Sequence, residues 1–178
     1  MARRTPSPFS SATFRFLKQL TENNTRDWFE ANRDRYEDEV REPALAFIRQ
    51  MERPIGRISP SFTAIAKKVG GSLMRVHRDV RFSKDKRPYK TNVGIQFRHV
   101  NGKDVHAPGW YVHLEPGGCF LGAGIWHPDA DTLRTIRSAI DTGPKAWKRV
   151  SAGAPFRKIW EPAGDSLKRP PRGYDDDH

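Results

Sequence analysis

Three successive runs between residues 91 and 126 limit what this chain can fold into. Over residues 91–99, Val93, Ile95 and Phe97 point one way while Asn92, Gly94, Gln96 and Arg98 point the other. That period of two is the mark of a strand with one buried face. Trp110, Val112 and Leu114 alternate in the same way with Tyr111, His113 and Glu115. Pro116, Gly117 and Gly118 make a turn, so residues 119–126 return as the partner strand of a hairpin. Gly122 and Gly124 weaken that return and predict a bulge or a close backbone approach. Shorter strands are expected over 62–66, over 73–78 with Met74 and Val76 on one side, and over 156–160.

Helical spacing brackets these strands. Ser10 or Ser11 caps a first helix whose inner face carries Phe14, Leu17 and Leu20, and Asn23 with Asn24 ends it. Thr25 caps a second, with Trp28, Phe29, Asn32, Tyr36 and Val40 at helical spacing. Pro43 kinks or restarts it, because proline has no amide hydrogen to donate, and Leu45 and Ile48 carry the stripe on to Pro54. Helices resume at Pro128, with Leu133, Ile136 and Ile140 as the expected buried face, and a short one surrounds Trp147. Helices, then consecutive strands, then helices predict an α+β fold. Its sheet should be mainly antiparallel, of about four to six strands, flanked by N-terminal and C-terminal helices in a single domain. The expected organisation is a flexible N-terminus over 1–8, one domain over 9–165, and an extended C-terminal segment over 166–178.

The 178 residues suit one domain, and an aromatic share of 11% argues against disorder. No apolar run approaches the roughly 18 residues needed to span a bilayer, so no membrane partner is expected. A lone cysteine, Cys119, excludes an internal disulfide and a four-cysteine zinc site and fits a cytoplasmic location. The net charge of +11 implies affinity for anions.

That charge is concentrated. Nine basic residues against two acids lie between Lys67 and Lys90, a local charge of +7, well over half that of the chain. Asp79 and Asp85 are interleaved with the cations and can hold neighbouring guanidiniums in fixed directions. Phe82 and Tyr89 are expected as buried anchors, and Pro88 stiffens the exit. The reading is an ordered cationic loop between two strands that binds an anionic partner. Its ligand-binding residues are Arg75, Arg78, Asp79, Arg81, Lys84, Lys86, Tyr89 and Lys90. The structural alternative is an Arg–Asp network tying the loop to the opening helices through Asp27, Glu30 or Asp34.

Four segments together are specific: residues 23–29 (NNTRDWF) with Tyr36 downstream, 78–92 (RDVRFSKDKRPYKTN), 108–115 (PGWYVHLE), and 124–128 (GIWHP) leading into the next helix. With them the chain resembles the bacterial and fungal family called domain of unknown function 2461, over roughly residues 9–174. The resemblance implies a single α+β domain and brings no reaction with it. Family members run on past a stretch like residues 170–175 (PPRGYD), so a further C-terminal element is expected after His178.

No phosphate-binding glycine loop, dinucleotide fingerprint or HExxH motif is present. His113 and Glu115 share a strand face with Tyr111, and His99, His106 and His127 are candidates to approach them across the sheet. The spacing is not that of a metal motif, and neither metal nor cofactor is indicated. Cys119 with His113 is a poor nucleophile pair, and a lone cysteine is more often buried and inert. If a bound ligand is transformed, His113 or Asp79 is the acid/base candidate. The leading expectation is binding of a phosphorylated or other anionic small molecule. A nucleic-acid-binding domain and an interaction scaffold with an internally paired loop are the alternatives.

Overall fold

The structure, a computed structural model, describes residues 7–100, 108–164, 167–171 and 173–175. Most of the expected flexible N-terminus, His106 and parts of the C-terminal segment lie outside these residues. The fold is α+β with a four-stranded antiparallel sheet, and the chain divides into two compact units, Met1–Pro128 and Asp129–His178.

In the first unit, α1 (Ser11–Glu22) starts at Ser10, whose side chain accepts from the Ala12 amide, and ends at Asn23. Its buried face is Thr13, Phe16, Leu17 and Leu20, so Phe16 takes the inward place expected of Phe14. Thr25 caps α2 (Arg26–Ala31) by accepting from the Trp28 amide. Next come α3 (Arg33–Tyr36), a π-helical turn over Glu37–Arg41, and α4 (Glu42–Ile58). Pro43 sits in the first turn of α4, where a missing amide hydrogen breaks no bond. The π turn leads directly into α4 with helical backbone at Arg41 and Glu42, so the chain stays helical through Pro43 rather than stopping and restarting. Contrary to expectation, α4 continues past Pro54, bringing Ile55 into the core. The Thr13 hydroxyl, fully buried, donates to the Glu39 carbonyl at 2.6 Å and ties α1 to the π turn.

The sheet order is β1 (Phe62–Thr63), β2 (Val93–His99), β3 (Gly109–Leu114), β4 (Phe120–Gly124). One face of β2 places Val93, Ile95 and Phe97 in the core with Phe16, Phe29, Ile48 and Ile55. Trp110, Val112 and Leu114 of β3 pack on the same core, so Tyr111, His113 and Glu115 occupy the opposite face. The β3–β4 register runs unbroken from Gly109↔Gly124 to His113↔Phe120, without the expected bulge.

Three strand expectations are corrected. The first strand stops at Thr63. Residues 73–78 make only two isolated bridges, Leu73↔Ile95 and His77↔Tyr89, because the chain crosses from the sheet to the base of the basic loop within five residues. The last expected strand is absent: Phe156 and Arg157 close α7 (Ala154–Arg157) in the second unit, where Pro155 occupies a first helical turn, and a turn follows. That unit also holds α5 (Ala130–Thr142), capped by Asp129, and α6 (Pro144–Ser151). Leu133, Ile136 and Ile140 share a face of α5 but remain partly exposed rather than buried. No helix among the described residues is long and apolar enough to cross a membrane.

Candidate functional site

The basic loop closes on itself. The Arg78 amide donates to the Pro88 carbonyl at 2.8 Å and the Lys90 amide to the Val76 carbonyl at 2.8 Å, on either side of the His77↔Tyr89 bridge. Asn24, at the turn between α1 and α2, completes that base. Its Nδ2 donates to the Tyr89 carbonyl at 3.0 Å, and its Oδ1 accepts from the Tyr89 amide at 3.0 Å. The Tyr89 ring is buried and stacks on Phe29 with centroids 4.0 Å apart. This pairing explains why an asparagine and two aromatics from distant segments set the loop's position.

Within the loop the motif Asp-x-Arg occurs twice and folds the same way both times. Asp79 accepts from the amide and guanidinium of Arg81, with the shortest contact 2.6 Å. Asp85 accepts from the amide and guanidinium of Arg87 and also from Arg78 Nη1 at 2.6 Å. Each aspartate therefore ties its own arginine two residues on. The Arg81 side chain, then its amide, hold Asp79 at a pKa of about 2. Arg87, through side chain and amide, and then Arg78 hold Asp85 well below the ordinary carboxylate range. Because both carboxylates are depressed in the folded loop, these contacts are complete above the ordinary aspartate range of about 4. They are lost only as pH falls through the depressed values. A carboxyl-detected NMR titration should place the Asp79 midpoint near 2, and Arg81→Ala should return it toward 4. An Asp79 midpoint near 4 in the unaltered protein would mean the pair does not form in solution.

No carboxylate from the opening helices reaches these guanidiniums among the described residues; Glu30 is engaged by Arg33 instead. Lys86 Nζ donates to the Val80 carbonyl at 3.0 Å, and Lys84 and Arg75 are exposed. Phe82, expected as an anchor, is 95% exposed, with the Arg81 guanidinium 5.8 Å from its ring centroid. The loop is anchored through its base, and none of the described residues covers Phe82 at its tip.

Lys90 stands out among the cations. It is half-buried, and burial first, then the charge of Arg75, push its pKa down. No ion pair offsets it among the described residues. It lines a narrow recess of about 10 Å³, room for one water, with Tyr36, Arg41, Met74 and Asn92. Arg41 follows from the π turn: its guanidinium lies 4.9 Å over the Tyr36 ring and bonds Glu37, which also accepts from Lys68 at 3.3 Å.

Asn92 joins this recess to the outer sheet face. Its Nδ2 lies 3.3 Å from His113 Nδ1 and 3.4 Å from the Tyr111 hydroxyl. That hydroxyl is 3.2 Å from His113 Nδ1, while His113 Nε2 is 3.1 Å from Glu115 Oε2. Thr91 donates to the other Glu115 oxygen at 3.0 Å, and the Phe120 ring stacks on the imidazole at 4.7 Å. Burial is the main cause that raises the Tyr111 phenol, so it is held protonated. Gly94, opposite His113, makes room for the phenol: a Cβ there would lie 2.9 Å from the hydroxyl oxygen.

The expected site residues thus separate into a tied group (Arg78, Asp79, Arg81, Lys86), two exposed cations (Arg75, Lys84), the buried Tyr89 and the recessed Lys90. Asp79 is engaged by Arg81, whereas His113 sits in a bonded cluster of its own. His99 pairs with Phe62 at the other end of β2 from the strand position opposite His113. Cys119 is exposed rather than buried, and its thiol reaches the Glu115 carbonyl, not His113. Among the described residues no group of three His, Cys, Asp or Glu side chains converges as a metal site would require. Sequence reasoning missed Asn24, Arg41 and Asn92. Only the i,i+4 spacing of Glu37 and Arg41 offered a local signal for any of them.

The family model for the conserved hypothetical protein DUF2461 matches residues 12–178, nearly the whole chain. The chain belongs to the DUF2461 family. Comparison with curated proteins and with solved structures found no match. For this DUF2461 member, the loop and the outer sheet face therefore have to be read from their own chemistry.

Proposed function

We propose that this protein binds a phosphorylated or other anionic small molecule at the mouth of the Lys90 recess, with the basic loop contributing Arg75, Arg78, Arg81, Lys84 and Lys86. One observation carries the reading. Lys90 is half-buried beside Arg75 with no carboxylate among the described residues to offset it, while the half-buried Arg78 is paired with Asp85. An unpaired cation withdrawn from water costs stability unless an anion completes it. The protonated lysine carries that cost at neutral pH, and the cost fades as pH rises through its lowered pKa. The two Asp-x-Arg ties support the reading, because they hold guanidiniums in place without consuming Lys90. The exposed free thiol of Cys119 is consistent with a reducing, cytoplasmic setting.

The test is thermal stability of the full chain in inorganic phosphate and pyrophosphate against chloride of matched ionic strength. At 100-fold excess over Kd a ligand that prefers the native state contributes about 2.7 kcal/mol. Lys90→Met should abolish the phosphate effect and raise the ligand-free Tm by roughly 2–4 °C, what about 1 kcal/mol is worth at this size. A phosphate shift no larger than that of chloride, or one retained in Lys90→Met, would overturn the reading.

A second reading is favoured by Phe82. A ring that is 95% exposed with the Arg81 guanidinium beside it, in a run that also carries Lys84, suits stacking on a base of single-stranded nucleic acid. It predicts retention of an RNA oligonucleotide that falls steeply with salt and is weakened in Phe82→Ala. Absence of retention at low salt rejects it.

A further inference from the structure

We infer that Tyr111 is a nucleophile, activated by His113 and positioned for transfer of a phosphoryl group. A weak hydroxyl becomes reactive when a base lies within hydrogen-bond reach and a third group orients that base. All three parts are present on and just after β3, with Tyr111 and His113 on its outer face and Glu115 directly following Leu114. The Tyr111 hydroxyl is 3.2 Å from His113 Nδ1, and Glu115 holds the far side of the ring at 3.1 Å. The Glu115 carboxylate can only accept, so it keeps the proton on Nε2 and leaves the Nδ1 lone pair facing two donors, the phenol at 3.2 Å and Asn92 Nδ2 at 3.3 Å. Thr91 occupies the second Glu115 oxygen, and Phe120 covers the imidazole face, so the base has one orientation. Asn92 Nδ2, 3.4 Å from the phenolic oxygen, is placed to stabilise charge as the proton leaves.

The substrate class rests on the anion reading. Asn92 lines the recess with Lys90 and also lies 3.4 Å from the phenolic oxygen, so an ester or anhydride phosphate drawn to Lys90 at the mouth of that recess would be one side chain away from Tyr111. In the step, the phenolic oxygen bonds phosphorus while its proton passes to His113 Nδ1. The bond from phosphorus to the leaving oxygen breaks, and that oxygen departs with the electron pair and takes the proton from the imidazolium. Water then attacks the phosphotyrosine, giving its proton to His113, which returns it to the departing Tyr111 oxygen.

The test uses a neutral electrophile, diisopropyl fluorophosphate, on the full chain, with peptide mass mapping over time. The phenolic oxygen bonds phosphorus as its proton passes to His113 Nδ1, and fluoride leaves with the electron pair of the broken P–F bond. Tyr111 should be labelled at least about 10²-fold faster than N-acetyltyrosinamide, the range a positioned base supplies. His113→Asn should bring the rate to within a few-fold of that compound. Glu115→Gln, which keeps the side chain's shape, should slow it by about tenfold as expected for a positioning residue; it decides the matter if His113→Asn does not fold. Labelling of Tyr111 no faster than the free compound, or undiminished in folded variants, overturns the nucleophile. Inorganic phosphate should slow labelling in the unaltered protein but not in Lys90→Met. Fast labelling that phosphate never slows leaves Tyr111 a nucleophile and overturns the phosphoryl substrate.

Discussion

Phe29→Ala is expected to destabilise the protein by about 3–5 kcal/mol, the range for removing a buried aromatic ring from a packed core. Phe29 is 2% exposed, stacks on Tyr89 and lies 5.1 Å from the Tyr36 ring. It therefore supports the base of the basic loop on one side and the wall of the recess on the other. Urea denaturation measures the stability loss. Phosphate-dependent stabilisation, measured below the new melting temperature, should weaken with it, because Lys90 directly follows Tyr89. A cost under about 1 kcal/mol would mean that the aromatic stack does not form part of a rigid core.

Asn24→Ala should cost about 2–3 kcal/mol with no change in core volume. It removes two hydrogen bonds at once and leaves the Tyr89 amide and carbonyl without those partners. Each such bond contributes about 1 kcal/mol, and a backbone group left unsatisfied adds to the loss. Asn24→Asp retains an acceptor for the Tyr89 amide but turns a second acceptor toward the carbonyl, so it should cost a comparable amount while still protecting that amide. Amide hydrogen exchange at Tyr89 gives the local readout: faster exchange in Asn24→Ala than in Asn24→Asp is the expected order. Equal protection in both variants and the unaltered protein would show that Asn24 merely sits near the loop.

These two residues also show how far reading along the chain can reach. Asn24 announces itself as a helix terminator, and Phe29 as one member of an apolar stripe. Neither pattern reveals that both grip Tyr89, some sixty positions later. The charge of the loop is plain from its composition, but its pairing is not: Asp79 and Asp85 turn toward arginines two residues on, not toward the helices. Phe82 illustrates the reverse limit. An aromatic in a basic run reads as an anchor, yet burial needs something to bury against, and the described residues offer the loop tip no such surface.

Local patterns sufficed for the opening helices with their caps at Ser10 and Thr25, the β3–β4 hairpin and the two-faced character of β2 and β3, but not for α7 or for the run of α4 past Pro54. Periods of two and 3.6 residues and the capping preferences act over a few neighbours, so they are written directly in the order of residues. The grouping of Lys90, Arg41 and Asn92, and the approach of Tyr111 to Asn92 across Gly94, required the packed molecule. Those contacts join separate segments, and their distances are set by how α4 and the π turn pack against the sheet and by the strand register. A shift of register by one residue would carry His113 and Glu115 to the other face and dissolve the cluster.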